Sequence, residues 1–132
     1  MSVVLDTHAA LWYLAYSDEL SPLARTTIEE SIREGRHVFV SAISLVEVVY
    51  LTEKRRIPIG ALEQLRSTLS APTSGLTIAI VDRGVADALR AISREAVPDM
   101  PDRIVAATAL HLGLPLVTRD RRLQAAGIQT IW

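Results

Sequence analysis

The sequence predicts a three-layer α/β domain, with helices on both faces of a mostly parallel sheet. Two observations carry that prediction. Short runs rich in Val, Ile and Leu alternate along the chain with longer stretches whose apolar residues recur at helical spacing. The runs are nearly continuous and do not alternate apolar with polar residues, which suits strands covered on both faces. At 132 residues the chain fits one domain that can bury a core of its own, so a single domain over residues 1–132 is expected.

The elements follow in order. Val3-Val4-Leu5 reads as a buried strand, which Asp6 ends, ahead of the segment Thr7 to Tyr16. Leu20, Leu23, Ala24, Ile28 and Ile32 mark a helix closed by Gly35, and Val38-Phe39-Val40 a second strand. Leu45, Val48, Val49 and Thr52 mark a helix that ends before Pro58. Leu62, Leu65 and Leu69 mark another, stopped by Pro72 and Gly75, with Ala71 to Gly75 as a surface turn. The strand Thr77 to Val81 precedes Asp82, an N-cap for the helix of Val85, Leu89 and Ile92. A last helix from Ile104 to Leu112, closed by Gly113, feeds the strand Leu114 to Thr118, and Ile128 to Trp132 forms a final edge strand. No repeat, low-complexity tract or linker interrupts this pattern.

Composition removes several function classes. The absence of cysteine excludes disulfides, thiolate metal sites and cysteine nucleophiles. No apolar run approaches the roughly 20 residues of a membrane span. The N-terminus lacks the basic region of a signal peptide, so no membrane association and a cytoplasmic location are expected. An apolar fraction of 49% with only 5% aromatic residues requires an aliphatic core. The mean hydropathy of +0.26 leaves apolar surface to spare, so a homodimer or a bound protein partner is expected. A net charge of -1 decides nothing about nucleic acid, because the placement of the basic residues matters more. They cluster as Lys54-Arg55-Arg56 and as Arg119, Arg121 and Arg122 around Asp120.

Ligands in open α/β sheets gather beyond the carboxyl ends of the strands. Asp6 and Asp120 follow strands, and Asp102 opens the Ala-rich helix that leads into the second of these. Each of the three also suits a helix N-cap, and either Asp99 or Asp102, flanking Pro101, can cap the helix that follows. Capping does not account for Glu47, the only charged side chain from Val38 to Thr52. A carboxylate in so apolar a stretch costs several kcal/mol unless it is paired or metal-bound. A salt bridge to a distant arginine or a helix face that reaches water would meet that need, and so would convergence with the three aspartates. Gathered acids repel one another until a cation neutralises them. Hard oxygen ligands without cysteine or paired histidine suit Mg²⁺ or Mn²⁺ and not Zn²⁺. His8, His37 and His111 lack metal-ligand spacing; His8 is near enough to Asp6 to touch the site, whereas the other two read as packing or surface residues. Arg103 reads as the ion-pair partner of a neighbouring aspartate.

Four segments, in this order and at these separations, resemble the PIN-domain ribonucleases, most closely the VapC-type toxins of bacterial toxin–antitoxin pairs. They are Leu5-Asp6-Thr7-His8, Ser41 to Glu47, Asp99 to Ala109 and Leu116 to Asp120. The resemblance implies a Rossmann-like α/β/α PIN fold and a catalytic quartet at Asp6, Glu47, Asp102 and Asp120. It also implies one or two bound Mg²⁺ or Mn²⁺ ions. Asp99 is a further metal ligand, ranked below Asp102, which has the motif's distance to Ala106-Ala107-Thr108-Ala109. Thr7, Ser44 and Thr118 are supporting residues beside the acids. The implied reaction is hydrolysis of RNA by metal-activated water. Lys54, Arg55, Arg56, Arg119, Arg121 and Arg122 would bind RNA phosphates. A cognate antitoxin and a homodimer belong to the same expectation. Haloacid-dehalogenase phosphatases want an aspartate where His8 stands, and receiver domains want a lysine late in the chain, where this one has only Lys54. The remaining alternative is a catalytically silent PIN-like binding or scaffold module.

Overall fold

A computed structural model describes residues 1–132. Its strands are β1 (Val3–Leu5), β2 (Val38–Ser41), β3 (Leu76–Ala79), β4 (Leu116–Val117) and β5 (Thr130–Ile131). They form one sheet in the order β3-β2-β1-β4-β5, with every neighbouring pair parallel. The expected mostly parallel sheet is therefore parallel throughout, including the terminal edge strand. Seven helices connect and cover it: α1 (Thr7–Leu14), α2 (Pro22–Arg33), α3 (Ala42–Glu53), α4 (Ile59–Ser70), α5 (Arg83–Leu89), α6 (Met100–Leu112) and α7 (Arg121–Gln124).

The pleat of β1 shows why continuous apolar strands were needed. Val3 and Leu5 pack with Val38 and Val40 against Ala9 and Ala10 of α1 and Ala24 and Ile28 of α2. Val4, pointing the other way, packs with Leu116 against Val85 of α5 and Val105, Ala106 and Ala109 of α6. These two clusters are the layers on either side of the sheet. A third joins Val48 of α3 to Leu62 and Leu65 of α4.

The structure differs from the sequence reading at several boundaries. α6 begins at Met100, four residues before Ile104, because Pro101 fits the first turn and Asp99 supplies its cap. Asp102 therefore sits inside that turn and does not open the helix. β3 is shorter than the expected strand, and Ile80 and Val81 lie exposed beyond it. β4 is confined to Leu116 and Val117. Ile92 is buried although α5 ends at Leu89. The helices α1 and α7 were not assigned from the sequence. α1 is apolar along most of its length, which hides its period, and α7 is a single turn. Gly113, with φ 67°, closes α6 in the left-handed conformation that glycine adopts without strain. Asp82 caps α5 as expected, its Oδ1 accepting the Val85 N–H at 3.0 Å. No helix is long and apolar enough to cross a membrane.

Candidate active site

At the carboxyl edge of the sheet β1 gives way to α1 at Asp6, and β4 gives way to α7 at Asp120. Both aspartates are N-caps. Asp6 Oδ1 accepts the Ala9 N–H at 2.8 Å, and Asp120 Oδ1 accepts those of Arg122 at 2.8 Å and Leu123 at 3.4 Å. Asp99 caps α6 through Oδ2, which accepts the Asp102 N–H at 3.1 Å. Capping and convergence are thus compatible: the capping bonds of Asp99 and Asp120 each occupy one carboxylate oxygen and fix where the other points.

Two hydroxyl contacts lock these ends together. Thr118, fully buried after β4, donates its hydroxyl to Asp6 Oδ2, and its own Oγ1 accepts the Asp120 N–H at 3.0 Å. Thr7 Oγ1 donates to Ser44 Oγ at 2.8 Å, tying the start of α1 to α3 one turn before Glu47. Thr7, Ser44 and Thr118 thus hold the backbone from which the acids project.

Glu47 is half-buried on α3, and its Oε1 is buried without a hydrogen-bond partner. No arginine pairs with it, so the salt-bridge explanation of its apolar setting does not apply. Carboxylate oxygens of Glu47, Asp99 and Asp102 lie within 4.8 Å of one another. With Asp6 and Asp120 these residues line one cleft of about 380 Å³. The quartet and Asp99 therefore meet at one place, although Asp6 and Asp120 are separated by more than a hundred residues in the chain from each other.

Electrostatics reflect this crowding. Asp102 is pushed up to about 7, first by desolvation and then by the charges of Asp99, Glu47, Asp120 and Asp6. Burial raises the Asp6 carboxyl as well, opposed by the bonds from Thr118 and Ala9. An unpartnered buried carboxylate oxygen and a converging set of hard oxygen donors fit a divalent cation held by Glu47, Asp99 and Asp102, with Asp6 and Asp120 alongside.

The basic residues are distributed unevenly. Arg119 lines the cleft, lies over the Trp12 ring at 4.5 Å and pairs with Glu19. Arg121 and Arg122 are exposed on α7 outside the cleft lining. Arg55 and Arg56 border a separate depression with Ile57, Pro58 and Ile59, and Lys54 is the exposed C-cap of α3. Neither the Lys54–Arg56 run nor Arg121 and Arg122 meet the acids. Arg103 corrects its expected role: it pairs with no aspartate, and it donates through Nε to the Ile92 carbonyl at 2.8 Å and through Nη2 to that of Leu89 at 3.1 Å. Those carbonyls end α5 and its following turn, so the guanidinium ties α6 to α5. His8 lines the cleft, as its nearness to Asp6 suggested. Trp12 and Glu19 escaped the sequence reading. The available signal for Trp12 was its position one helical turn after His8.

Comparison with known proteins agrees with this architecture. A family model described as the PIN domain matches residues 3–128. Ribonuclease VapC22 of Mycobacterium tuberculosis is 33% identical over 129 residues, which cover 94% of this chain and 91% of that protein. Among solved structures, VapBC2 from Rickettsia felis bound to a promoter DNA fragment superposes with a TM-score of 0.74 at 16% identity. That match covers 99% of this chain and 98% of the other. A toxin–antitoxin complex from Klebsiella pneumoniae gives 0.68 at 21% identity, covering 98% and 96%. The match to the family model spans nearly the whole length, from β1 past the acid that caps α7, and the chain belongs to the PIN domain family.

Proposed function

We infer that this protein is a metal-dependent endoribonuclease that cleaves RNA phosphodiester bonds with activated water and serves as the toxin of a toxin–antitoxin pair. The observation that carries this reading is the convergence of Asp6, Glu47, Asp99, Asp102 and Asp120 on one cleft, with Glu47 Oε1 buried and unpartnered. A degenerate scaffold has no use for so costly a cluster. The similarity to a protein named as a ribonuclease supports the same chemistry.

Mg²⁺ or Mn²⁺ bound here would neutralise the acids, polarise the scissile phosphate and lower the pKa of the attacking water. The side chains do the rest. Glu47, Asp99 and Asp102 present oxygens close enough to share one ion. Thr118 fixes Asp6 and Asp120 relative to each other, so these two members of the catalytic quartet of Asp6, Glu47, Asp102 and Asp120 are oriented before substrate arrives. One carboxylate of the group accepts the proton that water loses on attack. No protein nucleophile is needed. Arg119 is placed to meet a flanking phosphate, whereas Arg121, Arg122, Lys54, Arg55 and Arg56 lie farther out and would act on distal phosphates. An antitoxin covering the cleft, a homodimer and a cytoplasmic site of action complete the reading.

The test is controlled expression of the chain beside an Asp6→Asn control, followed by sequencing of RNA ends. New 5′ ends that require Asp6 are expected. Purified protein should cleave RNA with Mg²⁺ or Mn²⁺ and stop when EDTA is added. An RNA-end profile identical for both chains would sink the proposal.

A further inference from the structure

One wall of the acidic cleft is built from different chemistry. His8, Trp12 and Arg119 line it, and Trp12 is the single apolar side chain in the lining. His8 and Trp12 stand four residues apart on α1 and so project from one face on successive turns. Their ring centroids are 5.5 Å apart, with planes tilted by 44°. The Arg119 guanidinium lies over the indole at 4.5 Å. Trp132 meets the indole edge-on at 6.0 Å and braces it from just beyond β5.

Trp12 and Trp132 pack on one side against the core layer of β1, α1 and α2, but that packing does not account for the side Trp12 turns to the cleft. Trp12 is only half-buried, beside carboxylates with which an indole face has no favourable interaction. A nucleotide matches it on both counts. Bases stack on aromatic and guanidinium planes, and phosphate pairs with arginine. The Arg119–Glu19 pair stands in the way only weakly, since both side chains are more than half exposed. Exchange of the Glu19 carboxylate for a phosphate keeps the guanidinium charge paired.

We propose that His8, Trp12 and Arg119 form a stacking wall that seats an unpaired nucleobase next to the scissile phosphate, with Trp12 as its main surface. The proposal rests on the ribonuclease reading and deepens it, because it names the side chains that seat a base beside the acids. Stacking uses the face of the base, which every base offers, so Trp12 confers strand selectivity with little base preference. Duplex RNA keeps its bases stacked on each other and cannot use the wall.

The chain has two tryptophans, so Trp132→Phe leaves Trp12 as the only indole reporter. Combined with Asp6→Asn, which prevents cleavage, this variant is titrated with a short single-stranded RNA of randomised sequence. A second titration uses the same sugar-phosphate chain without bases. The base-bearing RNA should quench Trp12 fluorescence and bind about tenfold more tightly than the abasic chain. Trp12→Leu should abolish that preference, and Trp12→Phe should keep most of it. In cleavage assays Trp12→Leu should raise KM and leave kcat nearly unchanged, a split that loss of fold would not produce. Equal binding of base-bearing and abasic chains overturns the stacking wall, as does a preference that survives Trp12→Leu. If the parent chain still cleaves RNA in an Asp6-dependent way, only the wall falls. If it neither binds nor cleaves RNA, the ribonuclease reading falls and the wall with it.

Discussion

Asp102 shows how far one side chain can be held from its ordinary state. An unfolded carboxyl loses its proton near 3.8, whereas the folded Asp102 keeps it to about 7 because of desolvation and four neighbouring acids. Between those values the native state binds more protons than the unfolded chain, so this group makes stability fall as pH rises. Below about 4 the penalty is absent, and above about 7 it is complete. Asp102→Asn should therefore stabilise the metal-free protein at pH 8, by on the order of 1 kcal/mol once solvent screening of a half-exposed group is allowed for. It should leave stability at pH 4 nearly unchanged. Urea titrations in EDTA at both pH values measure the difference, and equal effects at the two would contradict the electrostatic origin. Single residues differ in how legible they are in the sequence. Glu47 stood out because nothing else from Val38 to Thr52 carries charge. Trp12 did not, because an aromatic among apolar residues looks like core until the fold turns it toward the acids. Arg103 was misread for a similar reason. Sequence puts aspartates beside it, and only packing shows that the ends of α5 claim its donors first.

At the level of elements, α6 carries two acids at its N-terminal end for different reasons. Asp99 is the cap and Asp102 lies within the first turn, so their substitutions should separate. Asp99→Ala removes the cap, worth about 1 kcal/mol, and also a charge that repels Asp102, so metal-free stability should fall by less than the cap alone is worth. Asp99→Ser restores the cap and not the charge, so stability should return while affinity for Mg²⁺ or Mn²⁺ stays weakened. Isothermal titration with Mn²⁺, beside thermal melts of the same variants, checks this. Unchanged affinity in both variants would leave Asp99 as a cap alone. The elements themselves were largely readable. The strands announced a parallel sheet through unbroken apolar runs, and Gly113 announced the end of α6. What escaped was set by tertiary contact. β4 pairs for only two residues, with β1 and with β5, and Ile80 and Val81 leave the sheet although their composition favours it. Gly75 owes its place to a packing constraint no pattern reveals: its φ is 82°, and a Cβ there would meet Ile32 at 2.7 Å.

Across the whole molecule the acids form a site only because the fold gathers them, from the ends of β1 and β4, from α3 and from the start of α6. In the unfolded chain they are far apart and bind a divalent ion weakly, so an ion that fits the cleft binds the native state selectively. Linkage then makes stability rise with ion concentration, by about 2.7 kcal/mol at a hundredfold excess over the dissociation constant. For a chain of 132 residues that corresponds to a rise in Tm of roughly 10 °C. Screening by salt would also relieve repulsion among the acids, so NaCl at matched ionic strength is the necessary control. Mg²⁺ or Mn²⁺ should raise Tm well beyond that control. Glu47→Gln and Asp6→Asn should behave in the opposite sense: each removes one repelling charge, and with it much of the response to the ion. Metal-free protein carrying Glu47→Gln should melt no lower than the parent, because an amide is cheaper than an unpartnered carboxylate at a buried position. A parent chain whose Tm ignores both ions, with variants that melt as it does, would mean that the converging acids do not form a metal site. Their repulsion would then be borne by the fold for some other purpose.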